Sequence, residues 1–141
     1  MELAEQGYIR ATKLKGKLPK SHPPLEFKSP EGFTILVGRN NKQNDMLTTK
    51  LAEKSDIWLH TKNITGSHVI IRAEGQEVPD DTIIYAARLA AFHSKAKNSS
   101  QVPVDYVPVK FVKKPSGSKP GMVIFTNNRT LYVTPLNPNE E

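Results

Sequence analysis

The sequence predicts an α+β domain: a mainly antiparallel sheet packed on one long helix, with a short additional helix and a disordered basic N-terminal segment. Three observations carry this. Short runs with period-two alternation, such as Phe33 to Val37, recur between Pro, Gly and Asn turn residues. One stretch, Thr82 to Lys97, places Ile83, Ile84, Ala87, Ala90 and Ala91 at helical spacing. Arg10 to Pro24 holds five basic residues, three prolines and no acid, too little apolar surface to join a core.

The elements follow in order. Met1 to Gly7 reads as the tail of a longer helix stopped at Gly7. LEFKS and FTILVG form a hairpin around Pro30-Glu31-Gly32, with Phe33, Ile35 and Val37 on one face. A polar loop, Arg39 to Gln43, leads to a short helix from Met46 to Ala52, capped by Asn44 or Asp45. Strands are expected at Asp56–Thr61 and Ser67–Ala73, turning at Asn63 to Gly66. Asp80 and Asp81 cap the long helix, and Lys95 and Lys97 at its end suit the macrodipole. A long strand runs from Val104 to Lys114, where Pro108 implies an edge or a bulge. MVIFT and RTLYVTP pair as a last hairpin across Asn127-Asn128. The expected layout is helix tail and basic linker over 1–24, one domain over 25–135 and a polar tail over 136–141.

Composition excludes several functions. The 141 residues suit a single core. The absence of cysteine removes disulfides, thiolate metal sites and Cys nucleophiles. No run of about 18 apolar residues exists to span a membrane. The N-terminus lacks the apolar stretch of a secretory signal, so the expected location is the cytoplasm. Twenty Lys+Arg against 14 Asp+Glu give a net charge of +6, which favours an acidic partner.

Unusual residues concentrate between Gly38 and Arg72. The Arg39–Asn44 loop combines Arg39, Asn41, Lys42 and Asn44 with the start of a helix, near Lys50, a pattern suited to anion contact. It lacks the glycine spacing of a nucleotide-binding loop. Strand alternation puts Trp58 and His60 on one face, and His68, Ile70 and Arg72 on one face of the next strand. Beside Ser67 and Arg72, these rings either stack bases or pack in the core, the commoner fate of a lone tryptophan. Two histidines without a third ligand make no metal site, and Ser67-His68 point to opposite faces, so no catalytic residue, cofactor or metal is assigned. Lys110, Lys113, Lys114 and Lys119 form a second basic group. Two separated basic stretches suit a long polyanion.

The strings GRNNKQNDMLT, SDIWLHTKNITGSHVII, AARLAAFHSKAK and VDYVPVKFVKKPSGSKPGMVIFTNNRTLYVTP resemble the NFACT-R domain of the fibronectin-binding-protein-A-like, RqcH-type factors of ribosome quality control. The resemblance runs from Leu25 to Pro135, and ELAEQGY is similar to the end of the coiled coil preceding the domain in that family. It implies an RNA-binding module that engages tRNA, ribosomal RNA and stalled large ribosomal subunits carrying peptidyl-tRNA, alongside other domains of the factor. Full-length bacterial members promote alanine tailing. The family's Asp-Arg motif for that activity lies in a separate domain this chain lacks, so tailing by the chain alone is not expected. The matching motif positions are Asn41, Lys42, Asn44, Asp45, Trp58, His60, Gly66, Ser67 and His68. Alternatives are a protein-interaction module docking on ribosomal proteins or on the same factor, a His-dependent nuclease, and a fibronectin-binding surface protein.

Overall fold

A computed structural model describes residues 23–140; expectations for residues 1–22 lie outside the described residues. The elements in chain order are β1 (Leu25–Lys28), β2 (Thr34–Val37), α1 (Asn41–Met46) continuing as a π-helical turn (Leu47–Leu51), β3 (Ile57–Thr61), β4 (Val69–Ile71), α2 (Asp80–Phe92), β5 (Val102–Pro108), β6 (Val112–Lys113), β7 (Ile124–Phe125) and β8 (Arg129–Val133). Six strands form one antiparallel sheet in the order β1-β2-β4-β3-β5-β8, and β6 and β7 form a separate ribbon. The α+β class and the dominance of antiparallel pairing agree with the sequence.

Both faces of the sheet centre are covered. Ile35, Leu36 and Val37 in β2 and Val69, Ile70 and Ile71 in β4 are all buried, which explains why Leu36 and Ile70, off the alternating face, are apolar as well. On one face Ile35, Val37, Leu59, Val69, Ile71 and Val104 meet α2. Ala86, Ala87, Ala90 and Ala91 are fully buried there, and their small side chains let the helix axis approach the strands closely. On the other face Leu36, Trp58, Ile70 and Val107 meet Leu47 of the π turn and Phe125 of the ribbon. The result is three layers, with the sheet in the middle.

Several boundaries differ from the sequence reading, each for a local reason. α1 starts at Asn41 and not Met46, because Asn40 is the cap: its Oδ1 accepts from the Gln43 amide at 2.9 Å. Gln43 Oε1 in turn accepts from the Arg39 amide at 2.8 Å, closing a reciprocal cap. The Gln43 amide at the start of the helix is thereby committed to its cap and not to an anion. α2 runs from Asp80 to Phe92 and stops at His93, so Lys95 and Lys97 lie beyond the helix. The strand expected from Val104 to Lys114 is broken: β5 ends at Pro108, and a 3-10 turn over Val109–Phe111 swings the chain across the sheet. β7 and β8 do not pair. Asn127 does take a positive φ of 62°, as paired asparagines allow, but β7 goes to β6 and β8 to β5. The apolar faces decide this: Leu131 and Val133 complete the α2 side, whereas Phe125 packs on Trp58 on the opposite side.

Candidate nucleic-acid interface

The block from Gly38 to Arg72 is organised by His68, which is 3% exposed. Its Nδ1 lies 3.1 Å from Trp58 Nε1 and 2.7 Å from the Thr48 hydroxyl. Its Nε2 lies 3.1 Å from the Gly121 carbonyl oxygen. Indole N–H only donates and a carbonyl only accepts, so one arrangement satisfies all three contacts: a neutral ring protonated at Nε2. Burial, and then the neighbouring His60, push its pKa down to about 4. The His68 amide donates to Asn44 Oδ1 at 3.0 Å, and a Cβ on Gly38 would collide with that same Asn44 side chain. Glycine at 38 is therefore what lets α1 sit against β4.

Trp58, His60 and His68 do come together, because β3 and β4 pair antiparallel and present these residues on the same face. Trp58 stacks on His60 with 5.9 Å between centroids and meets His68 edge-on at 5.4 Å. The cluster faces inward. Trp58 is 1% exposed and packs on Phe125, so base stacking by Trp58 is excluded, and His68 is equally out of reach. His60 is half-buried, and burial holds its pKa below the ordinary histidine value. Asp56, the other conceivable ligand, accepts from the Ala73 and Glu53 amides and pairs with Arg72 at 3.0 Å. Arg72 is therefore a half-buried structural cation at the far end of β4, not a surface contact. Among the described residues no group of three His, Cys, Asp or Glu side chains is placed to hold a metal ion.

A surface cleft of about 410 Å³ opens where the start of α1, the β3–β4 loop and the segment after α2 meet. Two backbone bonds staple its walls: the Lys95 amide to Thr65 O at 2.9 Å and the Ser67 amide to His93 O at 3.1 Å. Gly66 permits this, since a Cβ there would fall 2.8 Å from the Ser94 Cβ. Arg39, Lys95 and Lys97 line the cleft with Asn41, Ser67 and Ser94, and no carboxylate does. Arg39 Nε donates to Pro23 O at 2.6 Å, which leaves the two terminal nitrogens of the guanidinium for other partners. Lys97 Nζ lies 5.4 Å over the Phe92 ring. The Arg39–Asn44 loop and the segment from Phe92 to Lys97, distant in sequence, thus form one basic, amide- and hydroxyl-rich surface.

Comparison with known proteins identifies the family. The sequence pattern of the family described as the NFACT protein RNA binding domain matches residues 24–127. The chain belongs to this family. The NFACT-R chain is 52% identical over 137 residues to the Rqc2 homolog RqcH of Bacillus subtilis, covering 95% of this chain and 24% of that protein. It is 33% identical over 97 residues to the ribosome quality control complex subunit 2 of Saccharomyces cerevisiae, covering 59% of this chain and 9% of that one. Among solved structures it resembles the C-terminal part of the fibronectin/fibrinogen-binding protein of Streptococcus suis, with a TM-score of 0.79 and 43% identity over 96% of this chain and 55% of that chain. The NFACT-R chain spans about a quarter of the length of the curated bacterial relatives it matches.

The remaining residues singled out in the sequence divide by exposure. Arg39, Asn41 and Ser67 face the cleft; Asn44 borders it but is buried and committed to His68. Lys42 and Lys50 are exposed on α1 and its π turn, outside the cleft. Lys113 and Lys119 are exposed in and after β6. Lys114 is a tether: its Nζ lies 2.8 Å from Asp45 Oδ1 and donates to Lys119 O at 2.6 Å. That ammonium, and the Gly121 amide, hold the Asp45 carboxyl below its ordinary pKa. The cleft residues that sequence reasoning missed are Thr65, Phe92, His93, Ser94, Lys95 and Lys97. Their only signal was the family strings, SDIWLHTKNITGSHVII for Thr65 and AARLAAFHSKAK for the rest, because Lys95 and Lys97 read as the solvated end of a longer helix.

Proposed function

We propose that the NFACT-R chain binds RNA, tRNA or the ribosomal RNA of the large subunit, through the cleft between α1 and the α2 terminus. The observation that carries this is the lining: Arg39, Lys95 and Lys97 converge with amide and hydroxyl groups where no carboxylate competes. Cations neutralise phosphates and release counterions, while Asn41, Ser67 and Ser94 supply the hydrogen bonds that orient a backbone. Lys42 and Lys50 extend the same charge along α1. A relative named as a ribosome quality control complex subunit supports a ribosomal setting; the proposed place of action is the cytoplasm, on stalled large subunits carrying peptidyl-tRNA. Within a full-length factor the domain then supports alanine tailing by holding RNA, and carries out no chemistry of its own.

Titration of the chain with tRNA and with large ribosomal subunits across salt tests this. Affinity is expected to fall linearly on logarithmic axes as salt rises, and Arg39→Ala plus Lys95→Ala to reduce the slope by about 2, one unit per lost phosphate contact. Absence of binding at low salt, or binding indifferent to the double substitution, overturns the reading.

A further inference from the structure

A second basic surface lies apart from the cleft and shares no lining residue with it. Lys110 and Lys113, both exposed, stand on a ridge at the 3-10 turn and β6. On one side of the ridge is a depression of about 330 Å³ whose wall includes Lys54 and Thr49. On the other is a trough of about 380 Å³ walled by Phe111, Phe125 and Ile124. Neither contains a carboxylate. The Lys110 amide donates to Lys54 O at 3.2 Å, which fixes the loop carrying Lys54 beside the ridge. Lys110 Nζ sits 5.3 Å over the Phe111 ring, and Ile124 is left 59% exposed.

We propose that this ridge is a second binding site for single-stranded RNA, an inference that rests on the RNA-binding reading above. A row of cations tracks a phosphate backbone, and an adjoining apolar and aromatic trough accepts unpaired bases by face contact. Cations alone favour any polyanion. The trough beside them is what selects a strand with exposed bases over an acidic polypeptide, whose carboxylates have no apolar faces to place there. The cleft takes its lining from the start of α1 and the depression from the π turn that follows, with no residue in common, so two stretches of RNA can be held at once.

The test uses the 141-residue chain, a labelled oligouridylate and poly-glutamate as the competing polyanion. Lys110→Gln plus Lys113→Gln is expected to reduce the salt slope for oligouridylate by about 1.4, the single-strand value for two phosphates. Ile124→Ser, an exposed change, is expected to weaken binding severalfold with the slope unchanged, because an apolar contact releases no counterions. Combining the lysine pair with Arg39→Ala plus Lys95→Ala should multiply the two losses. The ridge proposal is overturned if the lysine pair leaves oligouridylate affinity and slope intact while the cleft pair lowers them, or if it weakens poly-glutamate binding only. No oligouridylate binding by the unsubstituted chain at low salt overturns the ridge proposal, while the cleft reading stands or falls separately on the tRNA and large-subunit titration.

Discussion

His68 cannot take a second proton and keep its partners. A hydrogen on Nδ1 would face the Trp58 N–H at 3.1 Å, a donor against a donor. Its pKa falls from the ordinary 6.5 to about 4 in the folded chain, so the unfolded chain binds the proton first. This part of the stability is complete above about pH 6.5 and is lost as pH falls towards about 4, a change of about 3 kcal/mol. His60 and His93, also lowered by burial, add to it with the same sign. Urea unfolding followed by the fluorescence of Trp58, the single tryptophan, at a series of pH values checks this. His68→Asn should flatten the profile as well as lower stability at neutral pH; an unchanged profile would remove His68 as its source. The sequence placed Trp58 and His60 on one face by strand parity, and His68 near them once the turn from Asn63 to Gly66 pairs the two strands. It left open whether they faced solvent, because that depends on the β6–β7 ribbon, whose Phe125 arrives from 67 residues further along and closes over the indole.

At the scale of elements, the cleft exists because the segment after α2 folds back on the β3–β4 loop. Gly66 and Ser94 form a bridge there, flanked by the Lys95–Thr65 and Ser67–His93 bonds. Gly66→Ala is expected to destabilise the chain by about 1–3 kcal/mol, the usual cost of forcing a methyl into a filled contact. It should also weaken RNA binding, since Lys95 and Lys97 lose their fixed position. Denaturant midpoints and an RNA titration measure the two effects; an intact midpoint would show that Ser94 yields without cost. Turn residues announced the β3–β4 connection. The end of α2 was not legible, because alanines and lysines continue the helical pattern to Lys97 while tertiary bonds to the loop break it at His93. The start of α1 was misplaced for a similar reason. Asn40, Asn44 and Asp45 are all chemically fit to cap, and only the reach of Asn40 to the Gln43 amide selects among them.

For the whole molecule, the basic surplus is not spread evenly. The described residues present a cleft at the start of α1 and a separate ridge at Lys110 and Lys113, and Arg10, Lys13, Lys15, Lys17 and Lys20 precede them in residues 1–22. If that segment contacts phosphates, deleting residues 1–22 lowers affinity for tRNA at low salt and makes the salt dependence shallower. Equal affinity and slope before and after deletion would confine binding to the two surfaces on the fold. No helix among the described residues is long and apolar enough to cross a membrane.

By itself the sequence determined the α+β class, the strand parity of the Trp/His block, the alanine face of α2 and the family, because periodicity, turn chemistry and residue strings are local properties. Tertiary structure decided which of those residues reach a ligand. Burial of Trp58, Asn44 and His68, the pairing of Arg72 with Asp56, and the capture of Lys114 by Asp45 turn expected contacts into supports. Arg39 and Lys95 meet in one cleft only because β4, α1 and the α2 terminus converge there. Charge and hydrogen-bonding type are written in each residue, but exposure is set by which distant segment packs over it. Gly38–Arg72 is therefore as much the frame of the interface as its surface.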